Sequence, residues 1–248
     1  MREVMLITGA SRGIGAASAV LAAERGYDVA ISYRSDAGAA EAVAERARAH
    51  GARVATIRAD VASEDDVERM FATVDAELGT LAVLVNNAGT LDLQTRLDEM
   101  TAERVERTLR VNVLGVFLCC RAAVRRMSTR YGGAGGRIVN VSSVAARIGG
   151  AREYIDYAAS KGAVDTMTVG LANEVAEEGI RVNAVRPGII YTDLHAQGGE
   201  PGRVDRLKAV VPMKRGGDPA EVARAILWLA SAESSYCTGS FVDASGGR

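Results

Sequence analysis

Three cysteines in 248 residues are too few, and too irregularly placed, for a disulfide framework or a zinc site. Cys119 and Cys120 are adjacent in an apolar run and read as reduced, buried small hydrophobes, and no metal ligand set is found around them or Cys237. No apolar run approaches the roughly 20 residues of a membrane span. The start of the chain lacks the basic, apolar and small-residue layout of a secretory signal; Val4–Ile7 reads as a strand instead. Positive charge is not in excess: 30 Lys and Arg against 31 Asp and Glu leave a net charge of −1. That balance gives no basis for nucleic-acid or anionic-membrane binding, and pairs such as Arg125-Arg126 read as a solvated helix face. Four prolines are scattered without a Pro/Ser-rich linker, and no internal repeat is visible. The expectation is a soluble, cytoplasmic protein with residues 1–248 as a single domain.

What is present is a core: 48% of the residues are apolar, enough to bury parallel strands on both faces. Short apolar runs alternate with longer amphipathic ones. Strands are predicted at Val4–Thr8, Asp28–Tyr33, Arg53–Ala59, Val83–Asn86, Arg137–Val141, Arg181–Arg186 and Ser240–Val242. Helices are predicted at Gly13–Arg25, Ala37–His50, Glu64–Leu78, Ala102–Arg126 and Tyr157–Glu178. Gly26, Gly51, Gly79 and Gly179 stand where left-handed caps end helices, and Ser63 is placed to cap the third helix at its N-terminus. Repeated strand–helix–strand units imply right-handed crossovers and an α/β fold with a parallel, doubly wound sheet. Residues about 190–215, broken by Gly198–Gly202, are expected to form a mobile cover over a site.

The first predicted strand runs into Thr8-Gly9-Ala10-Ser11-Arg12-Gly13-Ile14-Gly15. Gly9, Gly13 and Gly15 let the backbone approach a pyrophosphate, and the helix that follows offers it unpaired N–H groups and a partial positive charge. The spacing is G-x-x-x-G-x-G rather than the general dinucleotide fingerprint. At the end of the second strand, NAD sites place a carboxylate for the ribose 2′-hydroxyl, whereas a 2′-phosphate calls for arginine. Here Ser32-Tyr33-Arg34-Ser35 has no carboxylate before Asp36, and Arg12 stands inside the turn. The reading is NADP, with NAD or dual use following if Arg34 merely faces water.

Tyr157 and Lys161 lie at i and i+4, neighbours on one helix face. A phenol in water has a pKa of about 10. An ammonium roughly 6 Å away, at an effective dielectric near 20, favours the phenolate by about 2.8 kcal/mol, or some two pKa units. That shift brings the phenol toward the range of efficient acid–base catalysis. Upstream, Val139-Asn140-Val141-Ser142-Ser143 is a strand ending in hydroxyls, at the sheet edge where ligands sit in open α/β folds. Ser143, one step further out than Ser142, is the preferred holder of a reacting oxygen. Tyr154 has no lysine four residues on and is assigned a substrate contact or packing. Asn112, a poor helix former within a long predicted helix, either bonds a carbonyl or water near the lysine or is a satisfied polar residue.

In their joint order these motifs resemble the short-chain dehydrogenases/reductases over essentially the whole length. The matching residues are Thr8–Gly15, Asp60-Val61, Asn86-Asn87-Ala88-Gly89, Asn112, Ser143, Tyr157, Lys161 and Pro187-Gly188-Ile189-Ile190-Tyr191-Thr192. The resemblance implies a Rossmann-type sheet of seven parallel strands in the order 3-2-1-4-5-6-7 and a tetrad of Asn112, Ser143, Tyr157 and Lys161. It implies that Ser143 stabilises the substrate oxygen, Tyr157 transfers the proton, and Lys161 holds the ribose hydroxyls and lowers the tyrosine pKa. Asn112 would anchor a relay water. Asp60 and Val61 would meet adenine, Asn86 through Gly89, Ala88 included, would line the ribose side, and Ile190 with Thr192 would hold the carboxamide. Pro187 and Gly188 open that last cofactor-binding motif, as Ser11, Arg12 and Ile14 fill the first. A homotetramer is implied by analogy.

Ser143 to Tyr157 is one residue longer than in ketoacyl-reductase-like members, and the segment from Asp193 to Arg203 resembles a bacterial branch of glucose-dehydrogenase-like oxidoreductases. His195, Gln197 and Arg203 are candidate substrate contacts or solvated loop residues. The leading expectation is an NADP-dependent oxidoreductase acting on a small carbonyl/alcohol pair. A 3-oxoacyl thioester reductase, with Arg125, Arg126 and Arg130 as footing for an acidic carrier, and a sugar dehydrogenase are the alternatives. A non-catalytic NADP-sensing protein would be marked by loss of Ser143, Tyr157 or Lys161, and all three are present.

Overall fold

The period-two alternation of the apolar strands sorts their side chains onto two faces. In β1 (Val4–Ile7), Val4 and Leu6 enter one buried cluster, and Met5 and Ile7 the other. In the computed structural model, which describes residues 2–248, β2 (Asp28–Tyr33), β3 (Val54–Arg58), β4 (Leu81–Asn86), β5 (Gly136–Val141) and β6 (Ile180–Pro187) likewise feed both clusters, while β7 (Phe241–Ala244) adds Val242 and Ala244 to the second alone. The strands form one sheet of seven in the order β3-β2-β1-β4-β5-β6-β7, and every pairing is parallel.

Helices cover both faces, so the strands carry apolar residues on both sides. On one side Leu6, Ala30, Leu84, Ile138 and Val182 pack beneath α3 (Glu64–Glu77), α5 (Gly115–Met127) and α7 (Ile155–Val175), with Phe71, Met70 and Cys119 fully enclosed. On the other, Ile7, Val29, Ile31, Val85 and Val139 pack against α1 (Gly13–Glu24), α2 (Ala37–Arg48) and α10 (Pro219–Ala230). The buried face of α1 is built from glycine, alanine and serine. The small side chains let α2 and α10 come close on either side of it.

Ser63 caps α3 as expected, its hydroxyl accepting from the Asp66 N–H at 3.3 Å. Gly26, Gly51, Gly79 and Gly179 all adopt positive φ after their helices. Most elements shift by a few residues at their ends, and three features depart further from the sequence reading. The helix expected over Ala102–Arg126 is α4 (Ala102–Leu109) and α5, joined by a π-helical turn at Arg110–Leu114. The last strand is Phe241–Ala244 rather than Ser240–Val242. α10 was not foreseen, although Asp218 and Glu221 form a reciprocal capping box with Pro219 in the first turn, a start signal readable from the chain. The remaining helices, α6 (Ala145–Ile148), α8 (Leu194–Gln197) and α9 (Arg203–Leu207), are short and lie at the carboxyl edge of the sheet.

Candidate active site

A cleft of about 760 Å³ runs along the carboxyl ends of the strands, from the β1–α1 turn to the start of α7. At its first end Gly9 and Gly13 have φ of +62° and +55°, the left-handed region that favours glycine. A Cβ on Gly9 would lie 2.9 Å from Ala88 Cα. α1, with Arg12 at its N-cap, has no side-chain cap and no acidic residue in its first turn. By contrast, α2, α3 and α10 are capped by Asp36, Ser63 and Asp218. An uncapped N-terminus facing a cleft, lined by Ser11, Arg12, Gly13 and Ile14, fits a pyrophosphate. Gly15 sits behind this wall, where a Cβ would meet Asn87 Nδ2 at 2.5 Å. It serves the close packing of α1 on β4 and does not line the cleft.

Two polar residues tie that turn to β4. Thr8 Oγ1 accepts from the N–H groups of Asn87 and Ala88, both at 3.0 Å. The Asn87 amide donates to the carbonyls of Thr8 and Gly9 at 2.9 and 3.0 Å. Asn87, in the sequence one residue of a motif, is the brace of the cradle. Asn86 is corrected. Its side chain is buried in the core, where it donates to Asn140 Oδ1 at 2.9 Å and to Cys120 Sγ at 3.2 Å. Strand alternation explains the reversal: Asn87, Ala88 and Gly89 face the cleft and Asn86 does not.

Arg34, Asp60 and Val61 line the expected adenosine end. Arg34 is exposed, and among the described residues its side chain makes no ion pair. Arg12 is engaged: its guanidinium donates to Asp36 at 2.7 Å and lies 3.8 Å from Asp193. Pro187, Gly188, Ile190 and Thr192 follow β6 along the opposite wall. A Cβ on Gly13 would sit 3.3 Å from Thr192 Cγ2, so the two walls meet there.

At the other end, the structure brings Ser143, Tyr157 and Lys161 together. Ser142 Oγ donates to the Lys161 carbonyl at 3.3 Å and is turned into α7. Ser143 Oγ accepts from the Ala145 N–H at 3.1 Å and keeps its hydrogen to donate. Lys161 Nζ lies 5.6 Å from the Tyr157 ring centroid and donates to the Val141 carbonyl at 2.8 Å. Asn112, fully buried in the π-helical turn, accepts from the Thr90 N–H at 2.8 Å and donates to Thr90 O and Ser160 Oγ, both at 3.0 Å. Single π turns of this kind gather at functional sites. A Cβ on Gly89 would be 3.5 Å from Asn112 Oδ1 and 3.7 Å from Lys161 Nζ, which places the asparagine beside the lysine as the sequence reading allowed.

The electrostatics reverse one expectation. Burial raises the Tyr157 phenol above its ordinary pKa, and only the hydroxyl of Ser143 pulls it back. Burial also lowers Lys161 to about 8, against the raising influence of Asp165. The sequence reading treated the ammonium as a full, free charge. In the folded chain it shares the phenol's dry environment and is partly neutral near pH 8. The stability consequence has a definite sign. The folded pKa is below the unfolded value of 10.5, so between pH 8 and 10.5 the unfolded chain binds the extra proton and folding strengthens as pH rises. Across that range the denaturant midpoint of wild type is expected to rise relative to that of Lys161→Met. Parallel curves would contradict the shift.

Tyr154 is buried, and its hydroxyl donates to the Gly198 carbonyl at 3.3 Å. His195 lines the cleft with its Nε2 3.0 Å from the Ile190 carbonyl, and burial lowers its pKa. Gln197 also lines it. Arg203 does too, but its guanidinium is held by Glu153 and Glu200. On the outer surface, Arg126 pairs with Asp75 at 2.7 Å and Arg125 lies 3.7 Å from Glu68. Among the described residues, no group of three His, Cys, Asp or Glu is placed to hold a metal ion, and no helix is long and apolar enough to cross a membrane.

Known proteins are similar to this chain over nearly its whole length. The family model described as "Enoyl-(Acyl carrier protein) reductase" matches residues 9–248. An oxidoreductase of Escherichia coli (strain K12), "Uncharacterized oxidoreductase YgfF", is 55% identical, with 99% of each chain covered. The chain belongs to the short-chain dehydrogenase/reductase family. "Glucose 1-dehydrogenase 2" of Bacillus subtilis (strain 168) is 37% identical, covering 99% of this chain and 94% of its own. A solved short-chain dehydrogenase/reductase from Mycobacterium marinum superposes with a TM-score of 0.92 at 37% identity, over 99% of this chain and 94% of the other. Membership makes this chain an NAD(P)-binding oxidoreductase acting on CH–OH or carbonyl groups of a small molecule.

Proposed function

We propose that the protein is an NADP-dependent reductase of a small carbonyl compound, run in reverse as an alcohol dehydrogenase at alkaline pH. The observation that carries this reading is the Ser143–Tyr157–Lys161 group at one end of a cleft whose other end is an uncapped helix N-terminus. A nicotinamide dinucleotide, when bound, supplies or accepts the hydride. Gly9, Ser11, Gly13 and Ile14 are placed to cradle its phosphates and Asp60 with Val61 its adenine. Ala88 and Gly89 line its ribose side, and Pro187, Gly188, Ile190 and Thr192 line its nicotinamide side. Ser143 donates its free hydrogen to the substrate oxygen. Tyr157, kept protonated by burial, gives its phenolic proton to that oxygen as charge develops on it. Lys161 carries positive charge below about pH 8 and stabilises the phenolate left behind. Asn112 fixes Thr90 and Ser160 around the lysine.

A phenol held in its acid form favours the reductive direction near neutral pH, because oxidation of an alcohol needs the phenolate. The preference for NADP rests on Arg34, the exposed guanidinium at the adenosine end. Arg12 contributes less than its position suggests, because Asp36 already neutralises it at 2.7 Å. Charge-assisted hydrogen bonds are worth about 1.5–3 kcal/mol. Arg34→Asp is therefore expected to lower the ratio of NADP to NAD specificity constants by about 10- to 100-fold. An unchanged ratio would remove the argument.

Two substrate classes compete. The similarity to a glucose dehydrogenase and the polar cover residues His195 and Gln197 support a polyhydroxylated substrate. A 3-oxoacyl thioester delivered by an acidic carrier has weaker support, since Arg125 and Arg126 are paired with carboxylates of α3. NADPH consumption with an acetoacetyl thioester and diacetyl, run beside NADP reduction with D-glucose and other sugars, separates them. No turnover with any carbonyl or alcohol would favour a non-catalytic NADP sensor. By analogy with the family, we also propose a cytoplasmic homotetramer, for which light scattering in solution is the check.

A further inference from the structure

The cover segment leaves and rejoins the body at one place. Ile190 and Gly217 form an isolated parallel bridge, with the Tyr191 N–H donating to Gly217 O at 3.0 Å and the Gly217 N–H to Ile189 O at 2.9 Å. Between these points only Val204 and Val211, with Leu207 partly buried, join Ile189 in a small apolar cluster separate from the main core. So little apolar burial leaves a segment near the low end of local stability. Its far side meets the body through the Tyr154 hydroxyl, which donates to Gly198 O at 3.3 Å, through the close approach of Gly198 and Gly199 to Leu91 and Leu93, and through a set of ion pairs. Arg203 in α9 is only 5% exposed. It donates to Glu153 Oε1 at 3.1 Å, to Glu200 Oε2 at 3.0 Å and, through its second nitrogen, to Glu153 Oε2. Arg206 donates to Glu200 at 2.8 Å and lies 3.6 Å from Glu153. The Arg203 guanidinium also lies 5.1 Å over the ring of Tyr154.

Glu153 belongs to the loop that leads from Ser143 to the proton donor, four residues ahead of Tyr157. Its carbonyl accepts from the Thr95 N–H at 3.1 Å. Thr95 Oγ1 accepts from Arg104 at 2.7 Å, and Arg104 forms a buried two-point pair with Asp156 at 2.8 and 3.2 Å. One polar chain thus runs from α9, through Glu153 and the residues around Thr95, to the residue preceding Tyr157. We propose that Glu153 and Arg203 are positioning residues, whose ion pair holds the cover segment shut against the start of α7 and so retains the substrate beside Tyr157.

The pair is a latch: it contacts no reacting atom, and its loss frees the cover while leaving the phenol and the cofactor cradle in place. That substrate lies beneath the cover rests on the functional reading above; the closure itself does not. The test is hydrogen exchange by mass spectrometry on the full-length chain with no substrate, for wild type, Glu153→Gln, Arg203→Gln and the double variant. Exchange in peptides spanning residues 194–207 is expected to accelerate about tenfold or more in each single variant. In the double variant it should rise no further, since either change alone breaks the pair. Glu153 is the more exposed partner, so Glu153→Gln decides the matter if Arg203→Gln fails to fold. With diacetyl as the carbonyl probe, KM is expected to rise about tenfold in Glu153→Gln, with kcat and the NADPH Kd within about threefold of wild type. Unchanged exchange in Glu153→Gln, or additive acceleration in the double variant, overturns the latch. Because exchange needs no turnover, a wild type inactive toward diacetyl would count against the functional reading and leave the exchange result to decide this one.

Discussion

Tyr157→Phe is expected to lower kcat/KM for carbonyl reduction by about 10²- to 10⁴-fold, the range contributed by a positioned general acid. The variant removes one hydroxyl and keeps the ring that packs 5.6 Å from Lys161 Nζ, so the cleft wall is preserved. NADPH affinity, followed by fluorescence titration, is expected to stay within a few-fold of wild type, since the phosphate cradle lies at the opposite end of the cleft. Residual turnover would come from Ser143 and from the alignment of substrate with cofactor. Turnover within about threefold of wild type would show that another group delivers the proton. Tyr154 is a poor substitute, because its hydroxyl is already donated to Gly198 O.

Lys161→Met is expected to cost about 10²- to 10³-fold in kcat/KM, comparable to losing one preorganised donor at a site of developing charge. The variant keeps length and bulk but removes the ammonium that stabilises the departing phenolate. It also removes a buried amine whose pKa falls to about 8 through loss of hydration. Methionine should therefore be tolerated with the same or a higher denaturant midpoint at pH 7, even though Val141 O loses its partner at 2.8 Å. Loss of activity with retained stability would mark Lys161 as a residue kept for chemistry at a cost to folding. A destabilised variant with normal turnover would assign it to the scaffold.

The fold was legible because its signals are local and repeated. Apolar residues alternate along the strands, glycines stop four helices, and Ser63 starts one, so the strand–helix rhythm can be read without knowing any contact. The strand order came from the family resemblance, since periodicity alone does not say which strands pair. What the sequence hid depended on side-chain direction and dielectric. Asn86 and Asn87 look alike in the chain, yet one turns into the core toward Asn140 and the other braces the Gly9 turn. Arg12 reads as a phosphate ligand until Asp36 is found beside it. The Tyr157–Lys161 spacing was sufficient to place the pair, but the sign of the phenol's shift is set by burial, which spacing does not report. The latch was hidden for a similar reason: Glu153 and Arg203 are fifty residues apart and meet only when the cover folds back.

A structure of the complex with NADP⁺ addresses the central claim most directly. The expected result has the pyrophosphate on the N–H groups at Gly13 and Ile14, the 2′-phosphate against Arg34, and the nicotinamide beside Tyr157. A carbonyl substrate would then reach both the phenol and the hydride-bearing carbon at about 3–3.5 Å. A nicotinamide more than about 10 Å from the Tyr157 hydroxyl, well outside that range, would contradict it, whatever the affinity measured.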